Sequence, residues 1–421
     1  MSPRPVLKRE IGLFGATALG IGAIIGSGIF VVTGIVAGIA GPAMVVSILI
    51  AGAIAIFSAM SVAELAACLP EEGGTYAYAQ TLISPFAGFI AGWMWIFSNI
   101  FVGAAVSLGF AHYFATLFPS IPVKGIAVAI CLIFLAINYL GLKGSVLFNN
   151  LLVTAKVLIL LFFIAFGMGF FRTGNFTPFA PEGSAGVLSG AALIFFAYIG
   201  FARVTIMAEE VKDPEKTIPR SIFLALGIST VFYLLVSIVA TGLAGAPALA
   251  GSGSPLADAI AITGSSWAGI AIALGAMVAT ASVLLTTILG ISRIVFSMAR
   301  SQDLPLLFGR IHPRFCTPHY AISATGACMI AALLLADLTL VVAVSTFAML
   351  FYYLLANIAA FRLPGDHRRY PRAVPVVGAL SCIGLMVFLN AESWVIGCIG
   401  LLIGGMWFLF IRKNSFPQHS Q

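Results

Sequence analysis

Long apolar runs separated by short polar or charged stretches organise the chain from end to end. A helix needs about 20 apolar residues to cross a hydrocarbon core of roughly 30 Å, and the pattern predicts twelve such helices. They fall at 11–39, 43–68, 86–117, 125–142, 146–171, 187–208, 221–245, 266–298, 320–336, 338–361, 374–390 and 393–411. Two are interrupted: GIGAIIGSGIF (Gly20–Phe30) in the first and FFAYIGF (Phe195–Phe201) in the sixth set glycine in mid-run. Backbone groups released by such a break need partners inside a bilayer, so each break is expected to face a cavity and a ligand. Broken helices at matching places in two halves point to inverted repeats with a solute site near the midplane.

Composition agrees with this picture and excludes an ordinary soluble domain. Hydrophobic residues make up 61%, charged residues 8%, and the mean hydropathy is +1.11, against roughly 25% charged residues in soluble domains. With both termini in the cytoplasm, Lys124 and Arg172 fall outside, Lys156 and Arg203 fall within spans, and the remaining 17 of 21 Lys and Arg lie inside. That positive-inside bias predicts a multi-pass plasma-membrane protein with cytoplasmic ends. The net charge of +7 belongs beside anionic lipid, and no nucleic-acid partner is implied. The first apolar run is too long for a signal-peptide core and is expected to be a retained helix.

The usual chemical constellations are missing from the sequence. The six cysteines are scattered without CxxC spacing and read as helix-packing residues, and the five histidines form no ligand cluster, so neither a metal nor a disulfide framework is predicted. Phosphate-loop, HExxH and GxSxG motifs are absent, which disfavours an enzyme and calls for no cofactor. Gly20, Gly22 and Gly26 follow GxGxxxG spacing with no preceding strand, so they are no dinucleotide fingerprint. Gly22 and Gly26 do form a GxxxG, for which close helix packing is the plainer reading. Ser27 and Gly28 add a hydroxyl and a further small residue at mid-span. A half-helix beginning there would direct free N–H groups and partial positive charge at a carboxylate.

Three ionisable residues stand out. Lys156 lies about ten residues into the fifth run, roughly 15 Å deep, where snorkelling is difficult and an ionisable group is a functional candidate; a structural lysine bonded to helix carbonyls is the alternative. Arg203 stands six residues before Glu209 and is expected to snorkel or pair with a carboxylate, with a cytoplasmic gate or an effect on substrate choice as the other reading. Glu64 near the end of the second run is expected to pair with a loop cation, or else to relay protons. Glu209, Glu210, Lys212, Asp213, Glu215 and Lys216 read as a solvated loop.

Four segments together resemble the amino acid, polyamine and organocation transporter superfamily. They are GIGAIIGSGIF, AELAACLPEEGGTYAYA (Ala63–Ala79), FFAYIGFARVTIMAEEVKDPEKTIPRSI (Phe195–Ile222) and SRIVFSMARSQDLPLLFGRIHPRFCTPHYA (Ser292–Ala321). The branch they look most like is that of prokaryotic, sodium-independent transporters similar to the cationic amino acid transporters. The resemblance implies an all-α fold of two inverted five-helix repeats, 11–171 and 187–361, with peripheral helices over 374–411, in one transport domain spanning 1–421. It implies alternating access and an amino acid substrate held by the two breaks. Ser27 and Gly28 would bind the α-carboxylate, and the carbonyls of Ile24, Phe196, Ala197 and Ile199 would accept from the α-ammonium. Phe201 would be a gate, although aromatic packing accounts equally for Phe196 and Phe201.

In the resembling family, a lysine at this place in the fifth helix stands where sodium-coupled relatives hold their ion. Its implied partners are carbonyls near Gly22 and Ala23 and the hydroxyl of Ser282, less surely Thr286. Burial and carbonyl contacts act in opposite senses on a lysine's proton, and the expected function is proton-coupled symport. The expected side-chain pocket, with Ser98, Asn99 and Met277, has no carboxylate at mid-depth, which favours neutral amino acids. An exchanger, an exporter and a cationic amino acid transporter are the alternatives within transport; a channel or a transport-dead sensor lies outside it. Oligomeric state is not legible.

Overall fold

The computed structural model describes residues 11–69, 74–141, 146–206, 211–365 and 368–415. Among them the chain is helical, with one isolated β-bridge between Ile11 and Val211. The first run consists of α1 (Leu13–Ile24), a π-helical turn (Gly28–Val32) and α2 (Thr33–Ala40). α1 ends because Ile25 turns extended (φ −74°, ψ 98°) while its N–H still bonds to Ile21 O. Leu13–Cys68 is a 56-residue apolar stretch, roughly 84 Å if it were one straight helix, far beyond a single crossing. A second interruption divides it at Gly41, where φ of +62° and ψ of −150° favour glycine, and α3 (Met44–Cys68) follows.

The chain continues through α4 (Thr75–Leu82), α5 (Pro85–Leu117), α6 (Val123–Tyr139) and α7 (Val146–Met168). Ser84 starts α5 by accepting from Ala87 N at 3.2 Å, with Pro85 in the first turn. The sixth run is α8 (Gly183–Ile194), a 3-10 stretch (Phe195–Ala202) and the short α9 (Arg203–Ile206). Eight residues of 3-10 helix exceed the usual three or four and mark strain or a hinge. Next come α10 (Pro214–Ala244), two short helices α11 (Ala246–Ala250) and α12 (Pro255–Ala261), then α13 (Ser266–Arg300), α14 (His319–Leu335), α15 (Leu338–Phe361), α16 (Ala373–Val387) and α17 (Ala391–Ser415).

Among the described residues, eight helical stretches are long and apolar enough to cross a membrane. The expected runs at 125–142, 320–336 and 374–390 appear as the shorter helices α6, α14 and α16, of 17, 17 and 15 residues. α5 is central, packed between α13 and α15 and against α4, α6 and α14, while α3 packs on α10, α8 and α16. α11 lies on α2, and a β-carbon on Gly34 would meet Leu249 O and Ser252 O at 2.9 Å. The segment between α10 and α13 therefore covers the second half of the broken first helix. Its Pro247 and Pro255, each in the first turn of a short helix, carried that signal in the sequence.

Candidate functional site

The two interrupted runs meet backbone to backbone. A β-carbon on Gly28 would lie 2.5 Å from Ala197 Cα, and one on Gly200 would collide with the Ala23 carbonyl group. Gly26 fits against Val283 of α13 and Gly22 against Val153 of α7, where added β-carbons would come within 2.5 and 2.6 Å of the valine Cγ2 atoms. The absence of side chains at these four positions brings α1, the 3-10 stretch, α7 and α13 to one point. The glycine pattern is thus a packing motif.

A small cavity lies at this crossing, about 20 Å³ of space open to the centre of a water-sized sphere, room for about one water. Ile24, Ser27, Gly28, Phe196, Ala197 and Ile199, the six residues expected at a substrate site, all line it, together with Ala23, Gly26, Val102, Gly200, Arg203 and Val283. Ser27 and Gly28 stand where the second half of the broken helix begins, and the leading N–H groups of a helix have no acceptor within it. The Ser27 hydroxyl caps none of them. Phe201 lies off the cavity, fully buried and stacked on Tyr353 with ring centroids 4.7 Å apart.

Three tyrosines missed in the sequence reading serve the carbonyls freed by the interruptions. Tyr233 of α10 places its hydroxyl 2.7 Å from Ile24 O and 2.9 Å from Ala197 O. Tyr353 of α15 donates to Ile199 O at 2.8 Å, and Tyr113 of α5 to Phe30 O at 2.5 Å. All three are wholly buried. A phenol has one proton, so the hydroxyl of Tyr233 satisfies Ile24 O or Ala197 O and leaves the other free to accept. The available signal was a tyrosine within each of three long, mostly apolar runs.

Lys156, 1% exposed, donates to Gly22 O at 3.0 Å. Val153, one turn earlier on α7, is the residue against Gly22, so one face of α7 presents both the contact and the ammonium. Ser282 donates to Ala279 O on its own helix at 3.3 Å, and among the described residues no hydrogen bond joins it to Lys156. Thr286 is engaged by another cation. Arg203 Nη1 donates to Thr286 Oγ1 at 2.8 Å and Nη2 to Thr287 Oγ1 at 2.9 Å. Arg203, itself on the cavity lining, thus bonds to α13 hydroxyls outside it and not, among the described residues, to a carboxylate.

The residues expected at a side-chain pocket lie off this cavity. Ser98 donates to Ser345 O on α15 at 2.8 Å, and Asn99 to Trp95 O on its own helix at 2.9 Å. Neither these two nor Met277 lines the cavity, which α5 and α13 reach instead through Val102 and Val283. The small polar side chains satisfy helix carbonyls inside the bundle, as buried polar groups must.

Two carboxylates beyond the cavity tie loops to helices. Glu64, buried at the end of α3, accepts from the backbone N–H groups of Arg369 at 2.5 Å and Tyr370 at 3.1 Å. The cation of that loop pairs elsewhere, Arg369 Nη2 with Glu215 at 3.1 Å. Asp303, just beyond α13, accepts from the Tyr76 hydroxyl at 2.6 Å. Burial pushes the Asp303 carboxyl above its ordinary value, against the opposing pull of the Tyr76 bond. Glu209 and Glu210 lie outside the described residues, and no group of His, Cys, Asp and Glu fit to hold a metal occurs among those described.

Two helix interruptions meeting at a small cavity, inside helices apolar enough for a membrane, form the kind of site at which transporters hold a solute. Over residues 11–411 the chain matches the amino acid permease family, and it belongs to that family, within the amino acid, polyamine and organocation superfamily. It is a multi-pass membrane transporter rather than an enzyme. It is similar to the branched-chain amino acid permease BcaP of Bacillus subtilis (strain 168), 34% identical over 97% of this chain and 94% of that protein. The methylthioribose transporter of the same organism is also 34% identical, over 97% and 95%. Cationic amino acid transporter 1 of Arabidopsis thaliana is 30% identical over 98% of this chain and 74% of its own length.

Proposed function

We propose that the chain is a proton-coupled amino acid symporter of the plasma membrane that works by alternating access, with twelve crossings in two inverted five-helix repeats and both termini cytoplasmic. The observation that carries this reading is the bond from Lys156 to Gly22 O, two residues before the cavity-lining Ile24. A protonated Lys156 holds the first half of the broken helix against α7. Loss of the proton weakens that bond and frees the half-helix to move, which couples proton transfer to access at the cavity. Ser282, next to the cavity-lining Val283, is the α13 partner the neutral amine reaches when Gly22 O is released, and Phe201 is the gate.

Substrate binding follows from the charges of the backbone. The α-carboxylate takes the N–H groups at Ser27 and Gly28, where the partial positive charge of a half-helix favours an anion. The α-ammonium takes whichever of the Ile24 and Ala197 carbonyls Tyr233 leaves free, with those of Phe196 and Ile199 beside it. A cavity with room for one water has to open to admit an amino acid, so the state described is a closed stage of the cycle. The lining holds no carboxylate, so the substrates lack a cationic side chain; they include the neutral amino acids expected from the sequence. Similarity to a branched-chain permease supports that class.

Uptake into proteoliposomes that contain no amino acid, without sodium and with an imposed pH gradient, tests the reading. The intact protein is expected to accumulate substrate under an inward proton gradient, and Lys156→Ala to lose that response. A Lys156→Ala protein with an unchanged response would overturn proton coupling at this residue.

A further inference from the structure

Arg203 is the charged residue on the wall of the cavity, immediately after the 3-10 stretch that carries Phe196, Ala197 and Ile199. Its two bonds to Thr286 and Thr287 fix the guanidinium plane against α13 and use two of its five N–H donors. None of the twelve lining residues is acidic, and among the described residues the ion pair that forms is the distant Arg369–Glu215. Lys156 stands behind the first half-helix of the same site. Two cations therefore converge on one small cavity with no carboxylate on its lining. Hydroxyls satisfy donors but do not neutralise charge, and the half-buried Arg203, bonded to the exposed Thr286, keeps a charge that a solute entering the cavity can pair. A planar guanidinium fixed at two corners is suited to a bidentate hold on a carboxylate.

We infer that the transported amino acid bears a side-chain carboxylate and that Arg203 is the residue that binds it. The α-carboxylate and α-ammonium keep their places on the two interruptions, and the second carboxylate meets Arg203 beyond Gly200. This inference rests on the amino acid transport proposed above and sets dicarboxylic amino acids ahead of the neutral ones which that reading includes.

L-glutamate and L-glutamine differ at the group concerned and little in size, so their uptake and mutual competition in proteoliposomes of the full chain provide the test. The wild-type protein is expected to prefer glutamate or aspartate over the matching amide by tenfold or more. Arg203→Met should cut that preference at least tenfold, and Arg203→Lys should restore part of it. If the wild-type protein moves glutamine or leucine but neither transports nor is inhibited by glutamate and aspartate, the inference fails while amino acid transport stands. A preference for glutamate that survives in Arg203→Met overturns the assignment to Arg203. If no amino acid is moved, the transport reading fails and takes the inference with it. The wild-type comparison does not depend on the variants folding.

Discussion

The Tyr233 hydroxyl lies 2.7 Å from the Ile24 carbonyl, and by the same hydroxyl reaches Ala197 O at 2.9 Å. One phenolic proton thereby joins the two interrupted helices where both have lost regular hydrogen bonding. Tyr233→Phe keeps the ring and removes the one donor that the Ile24 and Ala197 carbonyls share. A loss of about 1–3 kcal/mol of stability and a severalfold fall in uptake are expected, read by thermal unfolding in detergent and by proteoliposome transport. Unchanged values for both would show that the bond matters to neither.

Glycine at the crossing is a steric requirement. Gly28→Ala sets a β-carbon 2.5 Å from the Ala197 Cα, and Gly200→Ala drives one into the Ala23 carbonyl group. Backbone cannot yield as a side-chain tip does, so each change should destabilise by about 1–3 kcal/mol or more and reduce transport to roughly a tenth or less. Gly227→Ala on α10, where a β-carbon meets nothing within 4 Å, is the control and should leave both values unchanged or slightly improved.

At the end of α3, the contacts of Glu64 and Arg369 predict an order of effects. The Arg369–Glu215 pair is a partly exposed ion pair, worth about 0–1 kcal/mol, and Arg369→Ala retains the backbone N–H that bonds to Glu64. Glu64→Ala removes the acceptor of two N–H groups, at a cost of about 1–3 kcal/mol for each group left unpaired. Thermal unfolding should rank Glu64→Ala well below Arg369→Ala, with Glu64→Gln between them. The reverse order would mean that the side-chain ion pair anchors the loop.

Asp303 predicts a pH dependence. Its carboxyl is raised by burial in the fold, so the folded state holds its proton more tightly than the unfolded chain. Its contribution to stability is present in full below the ordinary carboxylate value and is lost as pH rises through the elevated one. Asp303→Asn should flatten the fall in unfolding temperature on going from about pH 4 to neutrality. An unchanged slope would place the titrating group elsewhere.

Of the six cavity-lining residues, Ser27 and Gly28 rest on a short local signal, and Ile24, Phe196, Ala197 and Ile199 on the resemblance. Glycine in mid-run marks where helical bonding fails, and the residues beside it inherit the free backbone groups. Glu64 shows the limit of such reading. A charge pattern suggests a loop cation as its partner, whereas the backbone N–H groups that bind it leave no trace in residue type. Ser98 and Asn99 show a second limit. A polar side chain in an apolar run looks available, and only the neighbouring helix shows that its hydrogen bonds are already made.

By itself the sequence determined the apolar segments, their two interruptions, the buried Lys156 and the family, since segment length, glycine placement and motif order are all local along the chain. Tertiary structure alone decided that Tyr113, Tyr233 and Tyr353 serve the freed carbonyls, that Val102 and Val283 replace Ser98 and Asn99 on the wall, and that Arg203 joins the threonines of α13. Those pairings join residues far apart in sequence, Tyr233 with Ile24 at a separation of 209 and Arg203 with Thr287 at 84. Their geometry depends on how closely helices pack, and it was the glycines at 22, 26, 28 and 200 that let the backbones approach.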